Sequence, residues 1–123
     1  MLLESTGEAY HIEQFYKGED FMDRLDLIED EMDIAVVDIN MPNFDVIKAV
    51  EKIDRNFPMA YIVVASGDDN PELISHLQNT YHTWAYVIKN KNFSKDFIRV
   101  ISDAHRKVVY RKEMLERVRN HGG

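Results

Sequence analysis

The chain contains no cysteine. That excludes a disulfide framework and any thiolate metal site, and it is compatible with a cytoplasmic protein. No apolar run approaches the roughly 20 residues that span a bilayer. The opening Met1-Leu2-Leu3-Glu4 lacks the basic start and long apolar core of a signal peptide, so a cytoplasmic location without a membrane is the expectation. Glycine and proline are sparse, five and three residues, and no glycine-rich phosphate loop occurs. Gly67 reads as a turn residue. His11, His76, His82, His105 and His121 show no metal-ligand spacing, which leaves them structural or solvent roles.

What is present is ordinary for one soluble globular domain: 123 residues, 45% hydrophobic and 30% charged. The net charge of −7 argues against general affinity for nucleic acid. Between His105 and Arg119 six Lys/Arg face two acids, a local +4 that leaves −11 for the remainder. Such a basic segment is either the wet face of a helix or a patch for nucleic acid or lipid, and the helix face is the commoner case.

Met32, Ile34, Ala35, Val36 and Val37 make a short apolar run that predicts a buried strand over residues 33–39, with Asp38 where the strand should end and Pro42 just beyond. Before it, residues 10–15 alternate partially and suggest an edge strand. Phe21, Met22, Leu25 and Ile28 recur at helical spacing over residues 19–30. After it, Asp45 is placed to cap a helix carrying Val46, Ile47, Val50 and Ile53, ended by Asn56-Phe57-Pro58. Residues 59–65 form a second buried run, closed by Ser66-Gly67-Asp68-Asp69. Asn70-Pro71 opens a short helix with Leu73, Ile74 and Leu77. Residues 83–88 form another buried run, with Lys89 just past its end, and Ser94 is placed to cap a final helix.

Alternating strands and helices predict a mostly parallel sheet covered on both sides. Right-handed crossovers then bring every strand's carboxyl end to one rim. Asp38, Ser66 and Lys89 each stand at such an end and should converge. Singly, each has a bland reading, Asp38 as a turn cap above all. Together, an acid, a hydroxyl and an ammonium suit phosphoryl chemistry: the carboxylate attacks phosphorus, and the other two donate to the phosphoryl oxygens.

With these residues in view, the chain resembles the receiver domains of two-component response regulators. Asp38-Ile39-Asn40-Met41-Pro42 followed by Phe44-Asp45 is similar to the family's phosphoacceptor segment. Ser66-Gly67 matches its switch hydroxyl and the small residue after it, Lys89 its lysine, and Tyr86 its aromatic switch position. The resemblance spans roughly residues 10–105. It implies a flavodoxin-like (CheY-like) α/β fold, a doubly wound parallel sheet. It also implies phosphotransfer from a histidine kinase or phosphotransfer protein to Asp38, with Lys89 and Ser66 assisting and Ser66 and Tyr86 rearranging afterwards. A magnesium ion would be held by Asp38 and the Asn40 backbone carbonyl. The domain reads as a signalling switch, not an enzyme. A phosphohydrolase using Asp38 as nucleophile usually wants an acid two residues on, and position 40 is Asn.

Departures from the family pattern set further expectations. The family's first strand and the acidic pair that helps to hold magnesium should precede residues 10–15, where only nine residues stand, so the first βα unit is expected to be missing. Asn90 follows Lys89 where proline is usual, and Val46 replaces a usual glycine. The gap would be closed by residues 10–15, by a second copy, or by residues upstream of a fragment; a homodimer is the favoured outcome. A receiver-like domain is expected over residues 1–105 and a helical extension or linker over 106–123. Phe97, Ile101, Ala104, Val108, Arg111, Leu115 and Val118 alternate spacings of four and three, a seam that suits a coiled coil or a linker to an output module. The competing reading of the same seam is a helix whose first half packs on the sheet. A receiver fold that no longer takes up phosphate and serves as an interaction module is the functional alternative.

Overall fold

The structure is a computed structural model that describes residues 17–28, 32–40, 44–67, 71–81 and 83–121. The elements run α1 Gly18–Leu27, β1 Ile34–Asp38, α2 Val46–Asn56, β2 Tyr61–Ser66, α3 Pro71–Thr80, β3 Thr83–Ile88 and α4 Phe93–His121. The three strands form one parallel sheet in the order β1-β2-β3. With helices on both faces it is the open α/β sheet expected of a receiver-type fold, ending in a long helix. The expected strand over residues 10–15, and with it the question of the first βα unit, lies outside the described residues.

Each face of the sheet has its own core. Ala35, Val37, Ile62 and Val64 point to one side, where Leu25 of α1, Val46, Val50 and Ile53 of α2 and Leu77 of α3 bury them. Val63 and Val87 point to the other side and pack on Phe97 and Ile101 of α4. The central strand is buried almost throughout, which is why it is apolar at every position from Ile62 to Ala65 rather than at alternate ones. β1 is less sheltered: Val36 is 37% exposed.

Local chemistry sets the helix ends. The Asp45 side chain accepts the Lys48 N–H at 3.1 Å, the expected cap of α2. The helix ends where Phe57 returns its N–H to the Ile53 carbonyl at 2.7 Å, just before Pro58. Pro71 opens α3 as its first residue. The last helix differs from expectation. It begins at Phe93, so Ser94 lies inside the first turn and is not the cap. Asn90 and Asn92 shape the entry instead: the Asn90 side chain accepts the Asn92 N–H at 2.9 Å, and the Asn90 carbonyl accepts that of Phe93 at 3.0 Å. Gly18 sits under the Phe44 ring, where a Cβ would collide with it; this locks α1 against the approach to α2.

Between Ile62 and Val63 the pairing with β3 slips by one residue. The slip lets Trp84 join the α4 side together with Ala85, and its ring meets Tyr61 edge-on at 5.6 Å. Along α4, Phe97, Ile101, Ala104 and Val108 are buried, whereas Leu115 and Val118 are 58% and 65% exposed. The seam therefore covers the sheet through its first four positions and then runs past it. The sheet-packing reading holds for that first half.

Candidate functional site

Asp38 is the last residue of β1, Ser66 the last of β2, and Lys89 follows the last residue of β3. Register carries them to one rim. The Ile39 N–H donates to the Ala65 carbonyl at 3.1 Å, and the Lys89 N–H to the Ser66 carbonyl at 2.7 Å, so the backbone ladder is closed up to the residues in question. Across this rim Lys89 Nζ donates to Asp38 Oδ2 at 2.6 Å, a contact between residues 51 apart in sequence. The second carboxylate oxygen, Oδ1, accepts the Asn40 N–H at 2.9 Å. The Asp38 side chain keeps 41% of its surface open and that of Lys89 34%. An incoming group can therefore reach the carboxylate, and the ammonium, with three donors, is not used up by it.

Ser66 is fully buried. It follows Ile62 and Val64 in the strand alternation, which places it toward the side that α2 and α3 cover. Tyr86 pairs with Val64 and packs on that same side; its hydroxyl is buried without a hydrogen-bond partner among the described residues. Asp38 and Lys89 are thus in direct contact. Ser66 stands between their strands at the same rim, and Tyr86 lies two residues back from the end of β3.

Sequence reasoning assigned Asn40 only a backbone carbonyl. Its side chain does more: Oδ1 accepts the Gly67 N–H at 2.7 Å, tying the turn after Asp38 to the turn after Ser66. An Asn two residues past a strand end is a turn signal, but nothing in the sequence says that its partner is 27 residues away. Met41, Pro42, Asp68 and Asp69 lie outside the described residues.

For magnesium the described residues offer an all-oxygen donor set of one carboxylate and one carbonyl. No group of three His, Cys, Asp or Glu that could hold a metal ion occurs among them. That is no preformed cage. It suits magnesium only in the manner of sites that complete the ion's shell with water and phosphoryl oxygens.

No family model matches the sequence, and no curated protein matches it. Among solved structures the chain is similar to the BeF3-activated receiver domain of DrrB. The TM-score is 0.60 at 17% sequence identity, over 73% of this chain and 72% of that one. At that identity the likeness shows a shared fold, the receiver-type sheet with its covering helices. No helix among the described residues is long and apolar enough to cross a membrane.

Proposed function

We propose that this chain is a receiver domain of two-component signalling that accepts a phosphoryl group on Asp38 from a histidine kinase or phosphotransfer protein. The observation that carries the reading is the 2.6 Å contact between Lys89 Nζ and the half-open Asp38 carboxylate at the carboxyl rim of a parallel sheet. The fold shared with the receiver domain of DrrB, itself activated by BeF3, supports it.

In the proposed step a carboxylate oxygen of Asp38 forms a bond to phosphorus. The bond from phosphorus to the donor's imidazole nitrogen breaks, and its electron pair stays on that nitrogen. Lys89 moves its hydrogen bond toward the new phosphoryl oxygens and offsets about one added negative charge. Asp38 and the Asn40 carbonyl are the groups that would hold magnesium, which when bound would supply further positive charge between carboxylate and phosphoryl group.

The added charge is the switch. Asn40 couples the two turns at the rim through the Gly67 N–H, so a shift around Asp38 is passed to the residues beside Ser66. A buried hydroxyl with no partner costs about 1–3 kcal/mol. Tyr86 carries such a hydroxyl among the described residues, and turning outward would relieve it. Its state would be read by a partner protein or an attached output module in the cytoplasm. Homodimerisation belongs to the same proposal.

A second reading has one observation in its favour: no group of three His, Cys, Asp or Glu that could hold a metal ion occurs among the described residues. On that reading the fold serves as an interaction module without phosphotransfer. Intact mass after incubation with acetyl phosphate, with and without magnesium, separates the two. Gain of one phosphoryl group by the native chain and none by Asp38→Asn is the expected result. No gain by either chain, with folding intact by circular dichroism, overturns the phosphoacceptor reading in favour of the module.

A further inference from the structure

The half of α4 that runs past the sheet forms one wall of a groove of 940 Å³ at the amino ends of the strands, the pole opposite Asp38. Tyr61 and Trp84 line it from the sheet, and Tyr110, Met114, Leu115 and Val118 from the helix. Tyr110, Leu115 and Val118 are 65%, 58% and 65% exposed, which is unusual for three large apolar residues set side by side. Beside this apolar lining stand cations. Lys107 lies within the groove, Arg106 borders it, and Arg117 falls at its edge at about 100° of helix turn per residue. The same count sets Glu116 on the opposite side of the helix and Glu113 beside Arg106 at the border, one acid against three cations. Asp103 is the acid of the lining, and it is engaged by Arg106. Lys107 and Arg117 carry no ion pair among the described residues.

We propose that this groove is a docking site for an acidic amphipathic helix of another protein. Its apolar stripe would lie on Trp84, Met114 and Leu115, and its carboxylates would meet Lys107 and Arg117. A groove walled by one helix and floored by aromatic rings is the helix-in-groove mode of recognition, and the sign of its border selects an anionic ligand. A second copy fits poorly, because it brings one carboxylate at this border without an ion pair among the described residues, Glu113, and otherwise the same excess of cations, so like charges would face each other. An anionic bilayer also fits poorly: a flat surface would face the rest of the chain, which carries −11, whereas a single helix seated in the groove would not. The site is remote from Asp38 and does not depend on its phosphorylation.

The test uses a fluorescent helical peptide with a leucine stripe flanked by glutamates, and its counterpart with lysines in place of the glutamates. Both are titrated into the full chain and followed by anisotropy. The acidic peptide should bind, and the lysine peptide should bind at least roughly tenfold more weakly. Leu115→Ser and Lys107→Glu/Arg117→Glu, both at exposed positions, should each weaken the acidic peptide by roughly tenfold, while Asp38→Asn leaves it unchanged. Equal binding of both peptides, or no effect of the groove variants, overturns the proposal. So does loss of the groove to concentration-dependent dimerisation in sedimentation, or co-flotation with phosphatidylserine vesicles in place of peptide binding.

Discussion

The two ends of β1 carry the same chemistry in two different settings. At the carboxyl end Asp38 is held by Lys89 at 2.6 Å, 51 residues on; just before the amino end Asp33 is held by Lys112 at 2.8 Å, 79 residues on. Around Asp33 the arrangement is closed. Arg111 approaches its other oxygen at 3.7 Å, donates to the Met59 carbonyl at 2.6 Å, and lies over the Tyr61 ring at 5.6 Å. The other oxygen of Asp33 is buried without a hydrogen-bond partner among the described residues and has only the Arg111 charge beside it, and the set pins α4 to the edge of the sheet. Around Asp38 one ammonium and one backbone N–H do the holding, and the side chain stays open. An ion pair becomes structural when a second cation with further partners joins it, as Arg111 does at Asp33, and stays available for chemistry when a single lysine holds it.

Four substitutions test how differently the two ends of β1 are held. The largest effect should come from Ile62→Ala. This fully buried residue of the central strand packs between β1 and the α1–α3 layer, so both ends of β1 should loosen together. A loss of about 2–5 kcal/mol in urea unfolding is expected, and a selective loss at one end would show that the ends are not joined through the sheet. Next is Asp33→Ala, which strands Arg111 and Lys112 against each other. The expected cost is about 1–2 kcal/mol by the same measurement, since Asp33 is only part-exposed. Hydrogen exchange should rise in α4 beyond Val108 and not at the opposite rim.

Asn40→Ala removes the acceptor of the Gly67 N–H and should cost about 1 kcal/mol, with faster exchange of the Gly67 amide. If the exchange rate there is unchanged, the two turns are not coupled as described. The smallest stability effect belongs to Asp38→Asn: less than about 1 kcal/mol for an exposed pair, yet with complete loss of phosphoryl uptake. A cost as large as that of Asp33→Ala would erase the distinction between the open and the closed end.

Several features of the site were legible in residue order alone. Strand ends at Asp38 and Ser66, with Lys89 just past a third, follow from apolar runs that stop at polar residues, and Asp45 and Pro71 mark helix starts by their own chemistry. Ser94 misled because Asn90 and Asn92, four and two residues earlier, already satisfy the N–H groups at the start of α4. The side-chain role of Asn40 and the clamp on Asp33 left no local trace, since each partner sits on a different crossover. Trp84 on the α4 side could not be read from period-two alternation, because the register slips beside it.

Residue order was enough to place the strands and helices among the described residues, apart from the start of α4, and to set the strands parallel. Apolar periodicity and capping act within a few residues, and short helical crossovers permit little else. Tertiary structure alone decided which charge meets which, how much of Asp38 stays open, and that α4 outruns the sheet it covers. Those outcomes depend on register and on the relative lengths of packed elements, which bring together residues 27 to 79 positions apart.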